Sequence, residues 1–291
     1  MYDDLINQLT EECKIRNITD KTRSIYIYHA IKFLEWLNNK PIDEISLLDI
    51  REYIIYRRDN GATPGYCNSM CSALSFFYRH ILHIPWDLDI VPRMKIDWTL
   101  PHILSLEEVE KLIDTAQHIR NKAILALLYS SGLRAGEITR LAPQDIYMST
   151  MQVHVRNSKN RGDHWTILSE RALELLKEYW HSYPIEREYL FVTLKNPHTP
   201  LTVGGIEAMV KRVGADAGIK LHPHTLRHSF ATHLIENSTS RDYVQAMLGH
   251  RSSSTTELYI HISNKSLLGV KSPLDRPKKD NGDTTGGKKD E

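Results

Sequence analysis

The chain has 291 residues, of which 41% are hydrophobic and 25% are charged. This composition is typical of globular proteins and excludes a mainly disordered chain, a fibrous repeat and a small disulfide-stapled fold, while the absence of any apolar run near ~20 residues predicts no membrane partner. The net charge is +1. Residues 1–100 contain 12 basic and 14 acidic side chains, and residues 101–275 contain 20 basic and 18 acidic side chains. Bulk charge therefore neither requires nor excludes a nucleic-acid partner.

The chain begins with an acidic segment, Met1-Tyr-Asp-Asp4, which is unlike a secretory signal. Its three cysteines form no CxxC pair, and an odd number of cysteines without a signal sequence favours reduced thiols. We therefore expect a cytoplasmic protein.

Residues 1–84 are predicted to form a helical domain. A helix start at Thr19-Asp20 precedes apolar residues that recur with helical period from Tyr26 to Leu37, and a second helix is expected at Leu47–Tyr56. Asn60-Gly61 then breaks the chain. Thr63-Pro64 next supplies an N-cap with proline at the first helical position. The helix that follows has an apolar face and four polar side chains outside it: Asn68, Ser69, Ser72 and Arg79.

Residues 85–101 contain three prolines and show no sustained period, which predicts a linker. A capping box at Ser105-Leu-Glu-Glu108 then begins a second domain, residues 102–275. We expect a buried helix over Ala123–Tyr129 that ends near Gly132, and a β-hairpin whose strands flank a polar turn, Asn157–Asp163. Further helices are predicted at Arg171–Trp180, Val203–Ala217, Thr225–Glu236 and Tyr243–Leu248. The fold class is therefore mainly α with a small β-sheet, and the charged, Gly-rich residues 276–291 are expected to be a disordered tail.

The most informative segment is His222-Pro-His-Thr-Leu-Arg-His228. On a helix, His224 and Arg227 lie about 60° apart and away from the apolar stripe, so both should point together out of a rigid element. A guanidinium can give two parallel hydrogen bonds to a phosphate, which suits an anionic ligand. Two alternatives remain open: the histidines could ligate a metal through His224 and His228, or they could simply cap a helix and complete a core.

Three other segments carry groups suited to phosphate chemistry. Gly132-Leu-Arg-Ala-Gly-Glu137 places an arginine after a buried helix, and Leu248-Gly-His250 precedes a tyrosine by nine residues. The hairpin turn holds basic side chains beside a single acid, Asp163; the basic residues are Arg156, Lys159 and Arg161.

This ordered set closely resembles the tyrosine recombinase (phage integrase) family over about residues 5–275. The six matching positions are Arg134, Lys159, His224, Arg227, His250 and Tyr259. The hairpin departs from the family pattern, because it lacks the glycines that usually flank the lysine and the usual Val-Pro-Leu ending. Counting back from Thr166-Ile-Leu168 aligns Lys159 with the family lysine, and Arg161 is the alternative.

The resemblance implies a two-domain clamp on double-stranded DNA, with an N-terminal helical, SAM-like core-binding domain and a mixed α/β catalytic domain. It implies that Tyr259 is the nucleophile and forms a 3′-phosphotyrosyl link, with His224 as general base. It implies that the phosphate is bound by Arg134, Arg227 and His250. It implies that Lys159 protonates the leaving 5′-oxygen. No metal, ATP or other cofactor is expected.

The resemblance also implies four protomers on two synapsed sites, as a homo-tetramer or as a heterotetramer with a second recombinase, with Ser263–Val270 docking on a neighbour. Candidate DNA contacts are Asn68, Ser69, Ser72, Arg79, Arg156 and Arg161. We interpret Glu137 as a surface glutamate, although it could instead orient the guanidinium of Arg134.

The chain starts almost directly at the helical domain, which favours an Xer-like recombinase without an arm-binding module. Such an enzyme would be nucleoid-associated. Replicon dimer resolution and mobile-element integration or excision both remain open as its role. A type IB topoisomerase-like enzyme and a non-catalytic DNA-binding relative are the alternatives.

Overall fold

The computed structural model describes residues 2–96, 102–158, 162–184, 187–193, 196, 198–249 and 272–275. The chain divides into two compact units, Met1–Thr99 and Leu100–Glu291. Within the described residues, no helix is both long enough and apolar enough to cross a membrane.

The first unit is helical, as the sequence predicts. Two of its helices begin where the capping signals place them, since the side chains of Thr19 and Thr63 accept hydrogen bonds from backbone N–H groups in the first turns. The chain break at Gly61 is also confirmed, with a φ of +84°. The helices of this unit are α1 (Asp3–Ile15), α2 (Asp20–Trp36), α3 (Leu47–Asp59) and α4 (Pro64–His80).

Aromatic and aliphatic side chains from all four helices form the core of this unit, with Phe33, Ile50 and Phe77 fully buried. The three cysteines are buried and unpaired, which confirms the reduced thiols. Burial raises the pKa of Cys71 to about 11, so this thiol stays protonated and unreactive at neutral pH.

The polar face of α4 is occupied by the chain that follows the helix. The side-chain amide of Asn68 donates to the carbonyl of Met94 and accepts from its N–H, both at 2.9 Å. Arg93 donates to the backbone carbonyl of Asn68 at 2.5 Å and to the hydroxyl of Ser72 at 2.9 Å. These contacts argue against Asn68 and Ser72 as DNA contacts, because their polar groups hold residues 93–94 in place.

The second unit packs its helices around α6, whose side chains are buried on every side from Ala123 to Ser130. The capping box that begins α5 is present, with both reciprocal hydrogen bonds between Ser105 and Glu108. The helices of this unit are α5 (Leu106–Thr115), α6 (Ile119–Ser130), α7 (Ala135–Ile138), α8 (Glu170–Ser182), α9 (Val203–Asp216), α10 (Pro223–Glu236) and α11 (Arg241–Met247).

The small sheet is antiparallel with strand order β1-β2-β3, formed by β1 (Ile146–Tyr147), β2 (Gln152–Ser158) and β3 (Gly162–Ile167). The predicted hairpin is confirmed as β2 and β3. Alternation along β3 points His164 and Thr166 to the buried side, and β3 contacts α11.

A short segment, residues 272–275, lies on the second unit. The carboxylate of Asp275 accepts the backbone N–H groups of Glu170 and Arg171, which are the first two residues of α8. The hydroxyl of Ser272 donates to the carbonyl of Ser130 at the end of α6. The predicted docking segment Ser263–Val270 lies outside the described residues.

Candidate active site

Arg227 on α10 joins two turns of the second unit. Its side chain is buried, with the residue 5% exposed. One terminal nitrogen donates to the carbonyl of Gly132 at 2.5 Å, and the other donates to the carbonyl of Leu248 at 2.6 Å. Each carbonyl lies just beyond the C-terminal end of a helix, α6 or α11, where partial negative charge favours a cation. The prediction that Arg227 points outward with His224 is therefore wrong, because these two carbonyls draw its guanidinium inward.

The turn at Gly132 accepts only glycine. Its φ is +62°, a conformation that L side chains rarely adopt. A Cβ atom there would lie 2.5 Å from the ring of Phe230 and 2.9 Å from the side chain of Leu248. This close approach brings the end of α6 against α10 and α11, and so sets the place of Arg134, which follows two residues later.

Glu137 is buried and holds Arg134, which corrects the interpretation of Glu137 as a surface residue. One carboxylate oxygen accepts from the guanidinium of Arg134 at 2.7 Å, and the other accepts from the backbone N–H of Arg134 at 2.8 Å. The second oxygen also lies 3.9 Å from a terminal nitrogen of Arg227. Glu137 is only 3% exposed. Its carboxylate therefore links the two arginines.

The two arginines determine the charge state of Glu137. Burial alone raises the pKa of this carboxyl, but hydrogen bonds from Arg134 and the charges of Arg134 and Arg227 outweigh it and lower the pKa overall. Glu137 is consequently ionised at neutral pH, and its negative charge is fixed beside both guanidinium groups.

His224 lies one turn before Arg227 on α10. Partial burial lowers its pKa, and the charges of Arg227, His228 and Arg134 lower it further. The imidazole is therefore mainly neutral at pH 7 and can accept a proton. The rings of His224 and His228 are 6.4 Å apart, and within the part of the chain that the structure describes no group of three His, Cys, Asp or Glu side chains could hold a metal ion.

The structure thus brings Arg134, His224 and Arg227 into one site. Arg156 lies on β2, where its Nε is 2.7 Å from the carboxylate of Asp145 and its side chain stays 47% exposed. The other predicted residues, Lys159, Arg161, His250 and Tyr259, lie outside the described residues.

Sequence reasoning missed His164, which lies in the same site. The residue is 8% exposed, and within the described structure neither ring nitrogen has a hydrogen-bond partner. Burial lowers its pKa to about 4; Glu137 opposes this shift, while Arg227 and Arg134 add to it. Strand alternation could have found it, because His164 falls on the same face of β3 as Thr166.

The lowered pKa of His164 predicts a loss of stability on mild acidification. Its pKa is about 4 in the folded protein and 6.5 without this environment. As the pH falls from 7 to 5, the unfolded chain therefore binds a proton that the folded protein does not. This uptake should lower the free energy of unfolding by about 2 kcal/mol, as measured by urea titration. His164→Asn should remove that part of the pH dependence, and His198→Asn at an exposed loop should not. Parallel profiles for wild type and His164→Asn would contradict the assignment.

Comparisons with known proteins identify the family of this chain. The model of the phage integrase family matches residues 102–266, and that of the phage integrase N-terminal SAM-like domain matches residues 5–88. Tyrosine recombinase XerD of Oceanobacillus iheyensis is 32% identical over 273 residues, which cover 87% of this chain and 91% of the relative. Tyrosine recombinase XerA of Pyrococcus horikoshii is 28% identical over 265 residues, which cover 91% of each chain.

The fold is also that of a solved integrase. A crystal structure of a lambda integrase tetramer bound to a Holliday junction superposes with a TM-score of 0.70 at 19% identity, covering 88% of this chain and 76% of that one. The family resemblance and the predicted fold class are both confirmed. The chain therefore belongs to the phage integrase family, and it is a tyrosine recombinase that cleaves and rejoins DNA strands.

Proposed function

We propose that this enzyme recombines double-stranded DNA at specific sites, that Tyr259 is its nucleophile, and that the phosphate-binding groups are Arg134 and Arg227. The observation that carries this proposal is the pair of arginines joined by the buried carboxylate of Glu137, with a neutral imidazole, His224, one helical turn away. Two cations and one base held on rigid elements suit a reaction at a phosphodiester.

The proposed reaction is a transesterification. The phenolic oxygen of Tyr259 attacks the scissile phosphorus, the bond from phosphorus to the 5′-oxygen breaks, and a 3′-phosphotyrosyl link forms. His224 accepts the phenol proton, which must leave because a phenol with a pKa near 10 is a weak nucleophile at pH 7. Lys159 gives a proton to the departing 5′-oxygen, with Arg161 as the alternative donor. His250 donates a hydrogen bond to the phosphate.

The arginines stabilise the charge that builds on the non-bridging oxygens in the transition state. They supply the positive charge that a divalent cation supplies elsewhere, so the proposed reaction proceeds without a metal. It also proceeds without ATP, because the phosphotyrosyl bond conserves the energy that resealing needs. Strand cleavage and resealing are therefore both reversible.

We infer the assembly from the likeness to integrases. The lambda integrase structure is a tetramer bound to a Holliday junction, and a related structure shows the XerH recombinase bound to its difH substrate. A homo-tetramer on two synapsed sites, or a heterotetramer with a second recombinase, fits this precedent. Residues 1–84, joined by the linker 85–101 to the catalytic domain 102–275, would contact the same duplex. The exposed side chains of Ser69, Arg79 and Arg156 remain candidate contacts, together with Arg161.

We place the enzyme in the cytoplasm, acting on nucleoid DNA. Replicon dimer resolution and mobile-element integration or excision would use the same chemistry. The two roles differ in the DNA site that the enzyme recognises and in where that site lies.

Covalent trapping tests the proposal. The protein is incubated with nicked duplex fragments tiled from the DNA around its own gene, and the products are run on a denaturing gel. Because the nick lets the cleaved end diffuse away, a protein–DNA adduct accumulates instead of resealing. We expect an adduct on one fragment that persists in EDTA and disappears with Tyr259→Phe. Adducts on every fragment would instead indicate a topoisomerase-like enzyme. Sequence-specific binding without any adduct would contradict the catalytic role.

A further inference from the structure

The buried face of β3 supports both turns that hold Arg227. The hydroxyl of Thr166 donates to the carbonyl of Ser131 at 2.8 Å, next to Gly132. Two residues away on the same face, the imidazole of His164 lies against Gly249, where an added Cβ atom would be 3.0 Å from its Cε1 and Nδ1 atoms. Gly249 directly follows Leu248, so the two side chains meet the two turns whose carbonyls accept from Arg227.

The spacing of these two turns matters to the guanidinium. Its N–H donors form a planar fork of fixed geometry. Two carbonyls can bind both arms of that fork only when their oxygens are held at a matching separation. His164 and Thr166 lie on one strand, and a strand fixes the distance between residues i and i+2. The strand therefore sets the distance between the turns.

Packing alone does not account for a histidine at this position. Among the described residues, neither ring nitrogen of His164 has a hydrogen-bond partner, and such a buried ring costs stability that an apolar side chain of similar shape would not. The charged groups that act on it come from two helices, Arg134 and Glu137 at α7 and Arg227 on α10, while His154 on β2 lies on the opposite face of the sheet, stacked on Trp165. A protonated imidazole here would add a third cation beside two arginines, whereas the neutral imidazole fills the space without doing so.

We propose that His164 is a positioning residue for strand cleavage, which acts with Thr166 through the two turns to hold the guanidinium of Arg227 in its phosphate-binding geometry. The effect on cleavage rests on the proposed function. The effect on the guanidinium itself does not, because it can be measured without DNA.

Cleavage kinetics give the first test. Adduct formation is measured on the nicked site under single-turnover conditions with saturating protein, and affinity is measured on the uncut site in a Tyr259→Phe background. His164→Ala should lower the cleavage rate by up to about a hundredfold, because a small misplacement of a catalytic group has effects of that size, while affinity stays nearly constant. His164→Asn, which keeps an uncharged planar group at Cγ, should recover most of the rate. Trp165→Phe, on the opposite face of the strand, should cleave like wild type.

A double-mutant cycle separates positioning from a general loss of structure. If His164 acts through Arg227, adding His164→Ala to Arg227→Lys should lower the rate little further. If the effects of the two changes multiply, the proposal is wrong. Thr166→Val keeps the side-chain shape and removes the hydrogen bond to Ser131. It should likewise lower the cleavage rate of the wild type and change that of Arg227→Lys little, and it replaces His164→Ala in the cycle if that variant fails to fold.

The second test uses the protein without DNA. In protein carrying ¹⁵N-labelled arginine, the guanidinium signal of Arg227 is assigned by its absence in Arg227→Lys, and its proton exchange is followed by NMR. Exchange should be faster in His164→Ala and Thr166→Val but unchanged in Trp165→Phe. Unchanged exchange in both variants would overturn the proposal. Faster exchange together with no adduct from the wild type would instead refute the proposed function and leave the positioning role intact.

Discussion

Arg227→Lys is expected to lower the rate of strand cleavage by about 10²–10³-fold, the usual cost of removing one preorganised donor to a developing negative charge. Lysine keeps the positive charge. Its three N–H donors all belong to one nitrogen, however, so it cannot match the spacing of the carbonyls of Gly132 and Leu248 as two guanidinium nitrogens do, nor present a planar fork to a phosphate. The measurement is the single-turnover rate of adduct formation on the nicked site.

The matched control for this prediction is Arg171→Lys. Arg171 lies on α8 with its side chain 48% exposed, and its ion pairs with Asp114 and Glu174 are long and open to solvent. Exposed pairs of this kind contribute little, so this variant should cleave at the wild-type rate. Cleavage by Arg227→Lys within a few-fold of wild type would contradict the assigned role. Affinity for the uncut site, measured in the Tyr259→Phe background, should change much less than the rate.

Glu137→Ala is expected to lower the free energy of unfolding by about 3–5 kcal/mol, because it leaves the buried side of two guanidinium groups without its counter-charge. Glu137→Gln should fall between wild type and alanine, since it keeps an acceptor oxygen for Arg134 but loses the negative charge. Urea titration at pH 7 measures both. Glu178→Ala, at an exposed position on α8, should stay within about 0.5 kcal/mol of wild type.

The difference in the free energy of unfolding between wild type and Glu137→Ala should depend on pH with a definite sign. Because the pKa of Glu137 is lowered below 4.5, the folded protein keeps the carboxylate ionised at pH values where an unfolded glutamate is already protonated. Its stabilisation is therefore fully present above pH 4.5 and is lost as the pH falls through the lowered pKa. The gap between wild type and Glu137→Ala should narrow under acid. A gap that widens would show that the carboxylate is not the stabilising form.

Local signals account for most of the fold that the sequence predicts. Thr63-Pro64 and the Ser105–Glu108 box specify helix starts through hydrogen bonds within one turn, so they can be recognised without knowing the tertiary structure. The first helix, α1, was not predicted individually, and neither were α7 and the two-residue strand β1. α7 and β1 have only four and two residues, too few to show a period.

The wrong predictions share a physical cause. Glu137 and Arg227 are 90 residues apart, and Asn68 meets Met94 across 26 residues, so the contacts that bury these polar groups cannot be seen in a local pattern. A polar side chain on a helix is usually solvated, and only a distant partner makes burial favourable. The motif grouped Arg134, His224 and Arg227, which the structure brings together, but it could not show that the guanidinium of Arg227 is turned inward.

The buried position of Arg227 determines which amino-acid substitutions this protein can tolerate. One guanidinium binds carbonyls at the ends of two helices and is also a proposed phosphate-binding group, so under this proposal fold and catalysis depend on the same side chain. Substitutions at this position leave carbonyls without their partner before any substrate is bound. An inactive but well-folded descendant would therefore arise more easily by losing a group such as the exposed His224 than by losing Arg227. A library selected only for folded protein should retain arginine at 227 and tolerate replacement at 224.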